Sequence, residues 1–182
     1  MGAYDWCFYK FEKEEIESDG MLPQVQAYFR GSKCIPGAQI YLPYRAYNKV
    51  GMIDSEAHFH RDEEYLAFVG ADVRDAFESF DAEIELWMGE NHDDMEKIVI
   101  TKPTMVRVPA FYWHGPIEIK RLGKPLFFQP ILFSSRYYAM KYRKDAEGRI
   151  TYKTLVEGIS PCELDAGKIC DFCGKCMRKA GE

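Results

Sequence analysis

The chain has 182 residues, enough for one ordinary domain with a small appendage. With 47% hydrophobic and 15% aromatic residues it can bury a substantial core, which excludes wholesale disorder. A net charge of -5 excludes bulk electrostatic attraction to nucleic acid or to an anionic membrane surface, and apolar runs of only a few residues exclude a membrane-spanning helix.

The N-terminus lacks a basic region followed by an apolar stretch, and Trp6 stands where a myristoylation signal carries Ser or Thr. A cytoplasmic protein is expected, with its six Cys as thiols or metal ligands rather than disulfides. Residues 10–18 are highly charged and predict one or two solvated helical turns at most. Short strands follow at 26–30, 38–41, 56–60 and 64–69. Residues 71–81 read as a loop with a helical turn near 73–77. Strands then return at 83–88, 98–100, 104–108, 117–119 and 126–133, with a turn at 89–94. Residues 137–155 read as a hairpin closed by the turn 145–148. Many short strands with almost no helical periodicity predict an all-β antiparallel barrel or sandwich. The chain divides into an N-terminal extension with the first strands (1–37), a barrel (38–135), a β-hairpin (136–159) and a Cys-rich tail (160–182).

Two scarce residue types are clustered. Three of the four His fall in two short motifs, and four of the six Cys fall after Ser160. In Glu56-Ala57-His58-Phe59-His60 the side chains alternate across a strand, so His58 and His60 share a face about 7 Å apart, a spacing two metal ligands can use. Glu64 opens the next strand and can turn a carboxylate to the same point. Pro109-Ala110-Phe111-Tyr112-Trp113-His114 ends in a third imidazole that a barrel can bring beside the first two.

These residues resemble the cupin superfamily. Its first motif is G-x5-H-x-H-x3or4-E-x6-G, which His58, His60 and Glu64 fit, while Gly51 and Gly70 are each displaced by one residue. Taking Glu63 in place of Glu64 restores the spacing to Gly70 but shortens the gap after His60, so Glu63 is the rival ligand. In the second motif, G-x5-P-x-G-x2-H-x3-N, Pro109 and His114 fit. Pro103 and Phe111 replace Gly, and Glu118 replaces Asn. The resemblance covers roughly residues 38–133 and implies a cupin jelly-roll barrel. It further implies that His58, His60, Glu64 and His114 bind one divalent metal, iron, manganese or zinc, with coordination positions left for water or substrate.

Further candidates surround this set. By strand parity His114, Pro116 and Glu118 share a face, which would turn Glu118 inward as an acid or base, and Tyr112 could follow it. Tyr41, Tyr44 and Tyr47 bracket Arg45 and could line a pocket for a planar or anionic ligand. His92 reads as a solvated loop residue, and Cys7 and Cys34 as buried free thiols. In the tail, Cys162, Cys170, Cys173 and Cys176 can close a tetrahedral structural zinc site, can hold an iron–sulfur cluster, or can remain free of metal.

The function expected from the resemblance is a metal-dependent cupin enzyme acting on a small organic molecule, with a dioxygenase or other oxidoreductase favoured. The alternatives are a cupin decarboxylase, isomerase or lyase, or a non-catalytic metal- or small-ligand-binding module. The expected partners are a small-molecule substrate and a second copy in a homodimer, with neither nucleic acid nor membrane.

Overall fold

The computed structural model describes residues 5–17, 20–144, 146–147, 150–156, 161–162 and 165–169. A 3-10 turn at Asp5–Cys7 leads into β1 (Glu14–Ile16), β2 (Gln24–Arg30), β3 (Tyr41–Tyr47), β4 (Gly51–Asp54) and β5 (His58–Phe59). Then come β6 (Glu64–Gly70), β7 (Ala82–Gly89), β8 (Glu96–Ile100), β9 (Thr104–Val108), β10 (Trp113–Leu122) and β11 (Leu126–Leu132). The chain continues through the hairpin β12 (Tyr138–Lys144) and β13 (Ile150–Val156) to the short pair β14 (Pro161–Cys162) and β15 (Asp165–Ile169).

Two antiparallel sheets form the body. One runs β1-β2-β3-β11-β6-β9, and the other β13-β12-β5-β10-β7-β8, with β4 also paired to β10. The fold class is all-β, a jelly-roll barrel whose first two strands extend one sheet at its edge. Alternation in the sequence produces this burial directly. Along β6, Glu64, Leu66, Phe68 and Gly70 are buried while Tyr65, Ala67 and Val69 are half-buried. The same period holds in β7 and β11, and the inward residues of both sheets meet in one core with Ile53, Ile84, Leu86, Ile119 and Phe128. Phe68 and Phe128 stack across it with ring centroids 4.8 Å apart.

Several boundaries differ from the expectations, each for a local reason. Within the charged stretch, Glu14–Ile16 forms an edge strand because it pairs with β2, where Glu14 also accepts hydrogen bonds from Arg30. The strand expected at 38–41 instead runs Tyr41–Tyr47 straight through Pro43. A proline lacks the N–H that a ladder needs. The β3–β11 register explains the tolerance: Phe128 faces Arg45 and Leu132 faces Tyr41, with no paired residues between, so Pro43 and Pro130 meet where the ladder is interrupted. The strand expected at 56–60 shrinks to His58–Phe59, and the one at 117–119 grows to Trp113–Leu122. Cys7 is exposed, because the 3-10 turn that carries it lies outside the core, and Cys34 is half-buried with its sulfur accepting from the Arg30 amide at 3.1 Å. Of the tail cysteines, Cys170, Cys173 and Cys176 lie outside the described residues, as does the side chain of Cys162. No helix among the described residues is long and apolar enough to cross a membrane.

The core assignment is testable by contrast. Phe68→Ala, at a fully buried stacked ring, is expected to cost about 3–5 kcal/mol in urea denaturation. Phe77→Ala, at a ring 69% exposed, is expected to change stability by no more than about 0.5 kcal/mol. Equal losses at the two positions would contradict this core.

Candidate metal centre

β5 and β10 are adjacent strands, and His58 and His114 are direct partners across them. Their rings lie 4.2 Å apart, and the ring of His60 lies 5.0 Å from His58 and 5.1 Å from His114. All three are buried, and their ligand atoms fall within 4.8 Å of one another, so they could hold a metal ion. From the opposite sheet, β6 turns Glu64 to the same point. Its Oε2 is 3.0 Å from His114 Nε2 and 3.4 Å from His60 Nε2.

The backbone fixes which ring nitrogen faces the centre. His58 Nδ1 lies 3.1 Å from the Glu56 carbonyl, His60 Nδ1 2.5 Å from that of Tyr138, and His114 Nδ1 3.4 Å from that of Tyr112. A carbonyl only accepts, so each Nδ1 carries the hydrogen, and in the neutral ring, the form that binds a metal, each Nε2 keeps a free lone pair. Gly115 makes one of these contacts possible. It sits at φ +85°, and a Cβ there would come within 2.9 Å of the Glu56 oxygen that orients His58. Two atoms at the centre, His60 Nε2 and Glu64 Oε2, are buried without a hydrogen-bond partner. Buried polar atoms are costly when unpaired, and a cation between these donors would satisfy both. The residues therefore fit a divalent metal.

Electrostatics follow from the same burial. Burial, reinforced by the neighbouring His114, pushes the His58 pKa down to about 3 against the pull of Asp54. Burial would lower His60 and raise Glu64. The attraction between them reverses both, so His60 is raised and Glu64 is held well below the usual carboxylate range.

Other residues expected at the site are distributed as follows. Glu63 faces away and accepts from Arg107 Nε at 2.9 Å on the exposed side. Tyr112 donates its hydroxyl hydrogen to Glu90 at 2.6 Å and does not line the cavity. Glu118 points outward to Lys120, 3.2 Å away. The register of β10 shifts between His114 and Ile117, so Ile117 takes the inward place that uninterrupted parity gives to Glu118. Arg45 does enter the cavity, together with Tyr41. Tyr47 is buried in the core, and Tyr44 lies on the outer face against Phe11 and Phe127. His92, in a 3-10 turn, contacts Asp93 and the ring of Trp113.

Two cavity residues escape the sequence reading. Asp54, at the end of β4, sits 3.6 Å from His58 Nδ1, and Tyr137, just before β12, packs 5.4 Å from the His60 ring. Neither belongs to a spacing motif. Only the pairing of β4 with β10 and of β12 with β5 brings them in.

Burial raises the Tyr47 pKa from 10.0 to about 12, against the lowering effect of Arg45. The folded chain then holds this proton more tightly than the unfolded chain between those values. The stability it contributes is full below pH 10 and is lost as the pH rises toward 12. Tyr47→Phe is therefore expected to lose less stability than the parent between pH 8 and pH 11, by about 1 kcal/mol in urea denaturation. Parallel losses would show that Tyr47 titrates as it does in the unfolded chain.

No family model and no curated protein matches the chain. Among solved structures it is similar to the formate complex of oxalate decarboxylase from Lactobacillus farciminis, at 17% identity over 71% of this chain, with a TM-score of 0.49. The chain spans only 33% of that protein's length. It is also similar to a cupin 2 conserved barrel domain protein from Rhodopseudomonas palustris, at 11% identity over 76% of this chain and 80% of the other, with a TM-score of 0.47. An oxalate oxidase structure aligns at 9% identity over 72% of this chain and 61% of its own, with a TM-score of 0.49. The structural neighbours of this chain are cupin proteins, and its three buried histidines could hold a metal ion.

Proposed function

We propose that the chain is a metal-dependent cupin enzyme acting on a small organic molecule, with His58, His60, Glu64 and His114 as ligands of one divalent ion. The observation that carries this reading is the set of backbone carbonyls at all three Nδ1 atoms, which leaves three Nε2 lone pairs turned to one point beside a buried carboxylate. Four protein donors leave two positions of a six-coordinate ion open, as a catalytic centre requires. Imidazole and carboxylate without thiolate suit iron or manganese, which supply Lewis acidity and redox chemistry when bound. Oxidoreductase chemistry, of the dioxygenase kind, is the finer reading, since mixed His and carboxylate donors with open positions serve oxygen-using centres. Decarboxylase, isomerase and lyase chemistry run on the same donors and remain outcomes of the test. The protein's own contribution is orientation of the ligands. Ile53, Leu66, Ile117 and Phe128 wall the cavity with apolar surface, while the carbonyls of Glu56, Tyr112 and Tyr138 hold the imidazoles in place.

Metal analysis after purification without oxygen is expected to give about one iron or manganese per chain, and His58→Ala combined with His60→Ala is expected to remove it. Full metal retention in the double variant would overturn the ligand set. Oxygen uptake by the loaded chain with small organic acids supports the oxidoreductase reading, and carbon dioxide release without uptake replaces it with decarboxylation.

A further inference from the structure

The hairpin β12–β13 hangs on the barrel by a short attachment. Among the described residues β12 has β5 and β13 as its strand neighbours, and β13 is the edge of the sheet. β5 is two residues long and meets β12 through two register pairs, Met140 with Phe59 and Lys141 with His58. A strand held by so short a ladder opens at lower cost than one held like β11, which pairs with β6 along its whole length.

The side-chain contacts of β12 converge on the same place. Lys141 Nζ lies 2.7 Å from Glu56 Oε2, and the Arg61 guanidinium sits 4.2 Å from the centre of the Tyr138 ring. The Tyr138 carbonyl accepts from His60 Nδ1, and Tyr137 packs on the His60 ring. All of these partners lie in residues 56–61, the segment that carries two of the three imidazoles. The chain entering the hairpin is pinned. The Ser32 N–H donates to the Ser135 carbonyl at 3.0 Å, and a Cβ on Gly31 would collide with that oxygen. Ser135 is therefore a fixed pivot between β11 and the hairpin.

Undocking about this pivot has two effects at once. Tyr137 leaves the cavity wall, and His60 loses the carbonyl that holds its Nδ1 hydrogen. The first effect uncovers imidazoles that are at most 4% exposed while the hairpin is docked. The second lets the His60 ring rotate, which weakens it as a ligand. By linkage, an ion that needs His60 correctly turned favours the docked hairpin to the same degree.

We propose that the β12–β13 hairpin is a strap on the metal cavity, which opens the cavity when it undocks and fixes His60 toward the ion when it docks. Its coupling to an ion rests on the metal-dependent reading above, whereas the opening itself does not.

Two measurements on the full chain test the strap. In the metal-free chain at pH 7, modification of the buried histidines by diethyl pyrocarbonate, mapped by peptide mass, reads the opening. Lys141→Met removes the bridge to Glu56 and leaves every ligand in place. It is expected to speed modification of His60 and His114 at least about threefold. Arg61→Ala, at an exposed side chain, is expected to act in the same direction and decides the matter if Lys141→Met does not fold. Unchanged rates in the folded variants overturn the strap. Backbone hydrogen exchange reads the coupling, with manganese at about a hundred times its dissociation constant. Loading is expected to slow exchange in β12 at least about tenfold more than in β8, at the far edge of the same sheet. Equal slowing of the two strands overturns the coupling. A chain that takes up no manganese, yet whose histidines react faster in Lys141→Met, sinks the metal reading and leaves the strap standing.

Discussion

A neutral imidazole has one donor and one acceptor, and burying it among aliphatic and aromatic side chains leaves each looking for a partner. At this centre the main chain meets only half of the demand. Each Nδ1 has its carbonyl, and each Nε2 is turned to a common point. Much of the surrounding architecture serves that division. The pairing of His58 with His114 sets the ring spacing, and the absence of a Cβ at Gly115 lets the Glu56 carbonyl approach. The start of β12 delivers the Tyr138 carbonyl to His60. The hairpin that begins at β12 is therefore coupled to the site, although its strands lie at the edge of the sheet.

The prolines of the opposite sheet act in a complementary way. Pro43 and Pro130 occupy interior strands, where a missing N–H ordinarily costs a ladder hydrogen bond. Because they meet at the interruption between β3 and β11, neither leaves a partner waiting. Both also line the cavity, so the discontinuity in the sheet coincides with the space before the histidines.

Where the backbone stays regular, alternation was enough to bring the candidate side chains to one face. His58 and His60 share a face, and Glu64 lies in phase with the core residues Leu66 and Phe68. Where the backbone departs from regularity, parity misleads. The break in β10 after His114 turns Glu118 to solvent, and Tyr44 lies out of phase with Tyr41, Arg45 and Tyr47 despite similar composition. Strand limits around Pro43 were hidden because the sequence shows a missing donor but not the partner that makes it harmless. Asp54 and Tyr137 were illegible for another reason: their place at the cavity depends on pairings between distant strands, which no local spacing encodes.

The donors at this centre come from both halves of the barrel. The imidazoles stand on or beside β5 and β10 of one sheet, and Glu64 stands on β6 of the other. An ion held by all four would act as a rivet through the sandwich. Its binding energy would become resistance to separation of the sheets, and any movement between them would register as a change in coordination. Loading the centre and stiffening the barrel would then be a single event.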